Sequence, residues 1–156
     1  AIFNFPGLKM TLTTEQSREI NAVPAPKIII AGAGMSQGGR ILHHERRYLS
    51  DPKSAILFIG YQVKDSMGRW ILDGAESVKI MGEEIPIRCK VKSISGYSAH
   101  ADQNGILKWL RPMKQGLKKI FIVQGEEEQM IPLSQKIRDE LAVEAVIPSL
   151  GESVEL

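Results

Sequence analysis

The chain has 156 residues, 43% of them hydrophobic and 24% charged, and 20 basic against 18 acidic side chains give a formal net charge of +2. That length accommodates one domain or two small lobes around a real core, while the ordinary apolar fraction and small charge exclude a disordered or low-complexity chain. The single cysteine, Cys89, closes no internal disulfide and points to a reducing, cytoplasmic setting; no apolar run approaches the roughly 18 residues of a membrane span, so no membrane partner is expected.

Period and punctuation then set out the elements. Thr13 or Thr14 caps a short helix over 15–21, with Thr13 and Gln16 at capping-box spacing, and Val23-Pro-Ala-Pro26 breaks it. Lys27–Ala31 is a short β-branched run that reads as a buried strand, followed by the glycine-rich turn 32–39 and a helix over Arg40–Leu49. Ala55–Ile59 reads as a second buried strand, and 68–72 as one or two helical turns. Val78–Ile80 and Ile85–Ile94 alternate with period two and predict two half-buried antiparallel strands around Met81-Gly82-Glu83. A helix over Gln103–Leu110 stopped by Pro112 and a strand over Lys119–Val123 come next. A helix over Glu128–Leu141 follows, with Pro132 required in its first turn, and a last strand spans Glu144–Ile147. This order predicts an α/β fold, a mostly parallel sheet flanked by helices with an antiparallel patch.

Three polar groupings carry candidate chemistry. Gly34 and Gly39-Arg40 have P-loop spacing, but arginine replaces the lysine and no Ser or Thr follows. The Rossmann pattern fails at Gln37. What remains is either an anion site, made by backbone N–H groups at a helix start, or a tight turn that needs glycine for its dihedrals. His43 and His44 are adjacent, hence about 100° apart on a helix, and Tyr48 stands where a zincin helix needs its second histidine. His44 falls on the apolar stripe between Ile41 and Tyr48, which makes it a core-edge histidine and not a metal ligand.

Gly96-Tyr-Ser-Ala-His100-Ala-Asp102 is the densest polar cluster. It lacks the glycine of a nucleophile elbow, and Ser98, His100 and Asp102 alternate at about 6.6 Å in extended chain, too far for a relay. His100 sits between a strand and a helix, where a catalytic side chain and a capping histidine are both at home. Lys108, Arg111, Lys114, Lys118 and Lys119 around Trp109 form a solvated helix face or an RNA-facing strip. Glu126–Glu128 complements the dipole at a helix start.

Taken together, Ile28–Arg40, Ile56–Gln62, Met67-Gly-Arg69, Gly96–Asp102 and Ile122–Glu126 resemble the β-CASP branch of the metallo-β-lactamase-fold RNA-processing nucleases, in the family's order. The resemblance implies a two-zinc hydrolase cutting RNA phosphodiesters in a cleft between two lobes. Residues 1–94 would belong to the β-CASP lobe and 95–156 to the C-terminal segment of the metallo-β-lactamase αββα lobe. His100, with Asp102, would act in catalysis, His100 by protonating the leaving oxygen. Gly34, Met35, Ser36, Gly38, Gly39, Arg40 and Arg69 would hold the RNA phosphates.

Two departures qualify that implication. The H-x-H-x-D-H zinc motif is absent, so its N-terminal half is an expected partner beside RNA. Gln124 stands where the family's V-H-G-E has a zinc-binding histidine, and a neutral amide is a poor zinc ligand. No metal is therefore expected in this chain alone, which is expected to be inactive by itself and to leave apolar faces that favour a homo-oligomer. Three functions remain open: the C-terminal portion of a zinc-dependent RNA nuclease, a non-catalytic RNA-binding or scaffolding relative, or a small α/β module binding an anion at the glycine loop.

Overall fold

A computed structural model of the chain describes residues 5–97 and 99–154. It divides into two compact units, Ala1–Ser98 and Ala99–Leu156. Its strands form two parallel pairs and one antiparallel pair, each a separate two-stranded sheet, interleaved with helices. No helix among the described residues is long and apolar enough to cross a membrane.

In the first unit α1 spans Thr14–Glu19 and runs on as a 3₁₀ turn over Ile20–Ala22. The capping box forms: Gln16 N donates to Thr13 Oγ1 at 3.2 Å, and Thr13 N donates to Gln16 Oε1 at 3.1 Å. Lys27–Ala31 is not a strand. No strand pairs with it among the described residues, and Ile28 and Ile30 are 91% and 85% exposed. An apolar β-branched run supplies the propensity, but a strand exists only where a neighbour accepts its ladder.

Helix α2 covers Ile41–Tyr48, β1 covers Ala55–Ile59 and α3 covers Met67–Leu72. Only one face of β1 is covered: Phe58 is buried and Ile56 packs on the core, while Leu57 and Ile59 are exposed, so β1 is half-buried and not the fully buried strand its composition predicts. The hairpin is present, with β2 (Ser77–Ile80) antiparallel to β3 (Glu83–Pro86). Its two-residue turn has positive φ at both Met81 and Gly82, as a type I′ turn requires.

The continuous strand expected to Ile94 is interrupted after Pro86: Ile87 N still donates to Glu76 O at 2.8 Å, and the chain then leaves the hairpin. Arg88 N and Cys89 N both donate to Leu49 O, at 2.8 and 3.0 Å, carrying the chain across to the end of α2. It then enters β4 (Lys90–Ile94), which pairs in parallel with β1. Leu49, Phe58, Met67, Ile71, Val78, Ile80 and Ile85 form the core of this unit. Of the face predicted by alternation, Ile87, Cys89 and Val91 pack on that core, whereas Ser93 is exposed.

The second unit holds α4 (Gln103–Leu110), β5 (Lys119–Phe121), α5 (Glu127–Leu141) and β6 (Glu144–Val146), with β5 and β6 parallel. Leu107 and Leu110 of α4 meet Ile137 and Leu141 of α5 in its core. Pro132 lies in the second turn of α5, not the first. The position is tolerated because Pro132 and Glu128, whose carbonyl loses its helical donor, are both on the exposed side where water can serve. Ser134, buried on the opposite side, donates to Ala145 O at 3.2 Å and ties α5 to β6.

Candidate functional site

The glycine-rich segment forms an open loop that turns directly into α2. A Cβ on Gly32, Gly34 or Gly38 would meet nothing within 4 Å, so one face of the loop lies bare. Ala33 and Ser36 hold left-handed backbone, with φ of 63° and 54°, as does Gly39 at 71°. Such dihedrals in non-glycine residues cost free energy and persist only when the surroundings fix them.

Here the surroundings do. Ser36 N donates to Ala33 O at 2.9 Å, Met35 O accepts from Gly68 N at 3.1 Å, and Met35 Sδ accepts from Val63 N at 3.3 Å. Ser36 is buried and donates from Oγ to Glu45 Oε1 at 2.5 Å. The loop is thus pinned from below and bare above. The same contacts bring Met35 and Ser36 beside the start of α3, which carries Arg69. That side chain donates through Nε to both carboxylate oxygens of Asp73, at 3.0 and 2.8 Å. Arg40, at the N-cap of α2, is exposed and donates through Nη1 to Thr11 O at 2.6 Å.

Three residues outside the site set read from the sequence support the loop. Glu45 is 4% exposed, its Oε2 has no hydrogen-bond partner, and burial pushes its carboxyl above the usual range, opposed by the Ser36 hydrogen bond. Gln62 is buried with an unpartnered Oε1, and Gly68 lies against it: a Cβ there would stand 2.0 Å from Gln62 Oε1. The sequence does carry a signal for Glu45, a carboxylate at i+3 from Leu42 and i−4 from Leu49 on the apolar stripe of α2. His44 is a core-edge histidine: it is buried, and its Nε2 shares a hydrogen bond with Ser17 Oγ at 3.3 Å.

In the second unit His100 is exposed ahead of α4, and Asp102 is the N-cap of that helix, accepting from Gly105 N at 2.7 Å. Ser98 lies outside the described residues. Gln124 follows β5 with φ of 59°, exposed just ahead of α5. His100 and Gln124 each therefore occupy a turn leading into a helix, the usual place for chemistry in α/β folds. Among the described residues no group of three or more His, Cys, Asp and Glu side chains could hold a metal ion. The basic stretch is solvated, with Arg111 paired to Glu140 and Lys119 to Glu144, and Trp109 is 68% exposed.

Comparison with known proteins adds a second kind of observation. A Beta-Casp domain model matches residues 2–71, and a model of the Zn-dependent metallo-hydrolase RNA specificity domain matches residues 84–148. Ribonuclease TTHA0252 of Thermus thermophilus is 41% identical over 133 residues, which is 85% of this chain and 30% of that protein. Transcription termination factor FttA of Cenarchaeum symbiosum is 30% identical over 137 residues, 85% of this chain and 21% of that factor. An RNase J-like protein of Methanocaldococcus jannaschii is 32% identical over 126 residues, 81% of this chain and 29% of that protein. The chain thus spans 30% or less of the length of these relatives.

Proposed function

Because this chain belongs to the β-CASP family of metallo-β-lactamase-fold, RNA-acting hydrolases, we propose that it is the C-terminal portion of a zinc-dependent ribonuclease that hydrolyses RNA phosphodiesters. The observation that carries this reading is the glycine-rich loop, bare on one face and pinned on the other by Glu45, Gly68 and Val63. A rigid loop with glycines outward lets a phosphate approach the backbone closely, and its N–H groups together with the start of α2 favour negative charge. Gly34, Met35, Ser36, Gly38 and Gly39 supply that cradle, while Arg40 and Arg69 add guanidinium groups suited to phosphate oxygens.

His100 is the proton donor in this reading. As water adds to phosphorus and the P–O bond to the departing nucleotide breaks, the imidazolium gives its proton to the leaving oxygen, which departs as a neutral hydroxyl. Asp102 acts through His100, as a positioning residue that fixes the start of α4 two residues further on. We assign residues 1–94 to the β-CASP lobe and 95–156 to the hydrolase lobe; the parallel pairing of β4 with β1 supports that division. The zinc donors belong to a longer protein. The exposed Ile28, Ile30, Leu57 and Ile59 support such a covering partner within it, since a face of that kind is seldom left in water.

Gln124 favours a second reading, a relative that binds RNA without cutting it, because an amide stands at the family's zinc-ligand position. Cleavage of a labelled RNA by the longer protein and by this chain separates the two. Zinc-dependent cleavage by the longer protein, with binding but no cleavage by the 156-residue chain, is the expected result. RNA binding without turnover in the longer protein, at full zinc loading, overturns the nuclease reading in favour of the second.

A further inference from the structure

Two helical faces meet over a cavity of about 550 Å³ in the first unit, on the flank of α2. Thr14, Ser17, Arg18 and Asn21 reach it from α1 and its 3₁₀ extension, and Arg40, His43, His44 and Arg47 reach it from α2. Both sets are spaced i, i+3, i+4, i+7, the spacing that puts side chains on one face of a helix. Arg46 also lines the cavity, paired with its single acidic residue, Glu83. Four guanidinium groups therefore face one carboxylate. Arg18 and Arg47 are exposed, and neither enters an ion pair among the described residues.

Such a concentration of like charge opposes folding unless something else offsets it, and it is a standing attraction for an anion. The floor carries a second, independent mark. His44 is 6% exposed, and while Nε2 meets Ser17, Nδ1 is buried without a partner. Its imidazole is held below the usual pKa range by burial first, then by the charges of His43, Arg40 and Lys27, so the field around it is positive.

We propose that the cavity between α1 and α2 is a phosphate-binding site, taking the backbone of a nucleic-acid strand beside the glycine loop, which it adjoins through Arg40. Forked guanidinium groups match phosphate oxygens two at a time, and no Phe, Tyr or Trp side chain lines the cavity. Recognition is by backbone charge and independent of sequence. The strand as the source of the phosphate rests on the RNA-acting reading above; the phosphate site itself does not, and a free polyphosphate would satisfy the same chemistry.

The test is binding of a labelled 12-nucleotide RNA, and separately of inorganic tripolyphosphate, to the full chain and to Arg18→Gln/Arg47→Gln. Both substituted side chains are exposed, so the variant folds, which its far-UV spectrum and melting curve check. The control is Lys108→Gln/Lys114→Gln, two exposed cations of the second unit. The arginine variant should lose about tenfold in affinity for both ligands, and the slope of log K against log salt for RNA should fall by about 1.4, two phosphate contacts at about 0.7 each. The control should keep its tripolyphosphate affinity. If tripolyphosphate binding falls in the arginine variant but RNA never binds, the site stands and the RNA-acting reading of the chain fails. Unchanged binding of both ligands, or an equal loss in the lysine control, overturns the proposal.

Discussion

Ser36 and Glu45 are joined side chain to side chain at 2.5 Å, with both residues buried and the serine in left-handed backbone. One oxygen of the carboxyl takes the hydroxyl proton, and the other has no partner. A buried carboxylate with one unsatisfied oxygen is costly, so the proton is held more tightly in the folded chain than in the unfolded one. The folded state then binds more protons than the unfolded state in the window above 4.5, and the contribution of Glu45 is fully present below that value and lost as pH rises through its raised folded pKa.

Glu45→Gln keeps an acceptor for Ser36 and removes the titration. Urea melts from pH 4.5 upward should show the native chain losing stability relative to Glu45→Gln, by a difference on the order of 1 kcal/mol that opens as the carboxyl ionises. Stability curves that stay parallel across that window would show that Glu45 titrates normally. Ser36→Gly, which suits the positive φ and deletes the hydroxyl, should be the more damaging change, since it strands both carboxyl oxygens.

Gly68 holds the second underpinning of the loop. A methyl group there would sit 2.0 Å from Gln62 Oε1 and 3.2 Å from Phe58 Cε1, in a fully packed corner, and Gly68 N is also the donor to Met35 O. Gly68→Ala therefore costs about 1–3 kcal/mol as Gln62 is forced out, and it loosens the loop as well. The check pairs a denaturant melt with RNA affinity. A fall in stability at constant m, together with weaker RNA binding, is expected; native stability would mean that Gln62 has room to turn aside.

How much of this was readable in the residues depends on what each feature needs. The capping box at Thr13 and the turn at Met81-Gly82 are local, decided by side chains within a few positions, and the sequence shows both. The fate of Ile85–Ile94 is not local. Alternation survives in the burial of Ile85, Ile87, Cys89 and Val91, yet the strand is interrupted because Leu49 O, far earlier in the chain, takes the amides of Arg88 and Cys89. Lys27–Ala31 fails as a strand for a related reason: composition states a preference, and only a neighbour can realise it. At the site, the loop glycines are legible by type and Glu45 only as a carboxylate on the apolar stripe of α2, whereas Gln62 matters through a contact that no spacing reveals.

His44 predicts a second pH effect, of opposite sign. Burial leads, and His43, Arg40 and Lys27 add repulsion, so protonation is disfavoured in the folded chain; Ser17 from α1 offers its hydroxyl to Nε2 without adding charge. The folded pKa lies below 6.5, the unfolded state binds the proton first, and the stability present above 6.5 is lost as pH falls toward the lowered value. Imidazole resonances followed by NMR through that range should place His44 below 6.5. Titration of His44 at or above 6.5 would mean that the site already holds an anion or that Nδ1 finds an acceptor.

The second unit carries the sharpest test of the proposed chemistry, because its two candidate positions separate protonation from metal binding. Within the longer protein, His100→Ala removes the proton donor but no phosphate contact, so cleavage should fall by about 10²–10⁴-fold while RNA affinity holds within a factor of a few. Turnover at the native rate in that variant removes His100 from the mechanism. Gln124→His restores an imidazole at an exposed turn whose left-handed backbone histidine tolerates better than most residues. Zinc content measured by mass spectrometry should rise in the longer protein and stay unchanged in this chain, whose described residues offer no other clustered donors. Equal zinc in both versions of the longer protein would mean that position 124 does not face the metal at all. If zinc rises and cleavage appears only with histidine, the native glutamine marks a chain that holds RNA without cutting it.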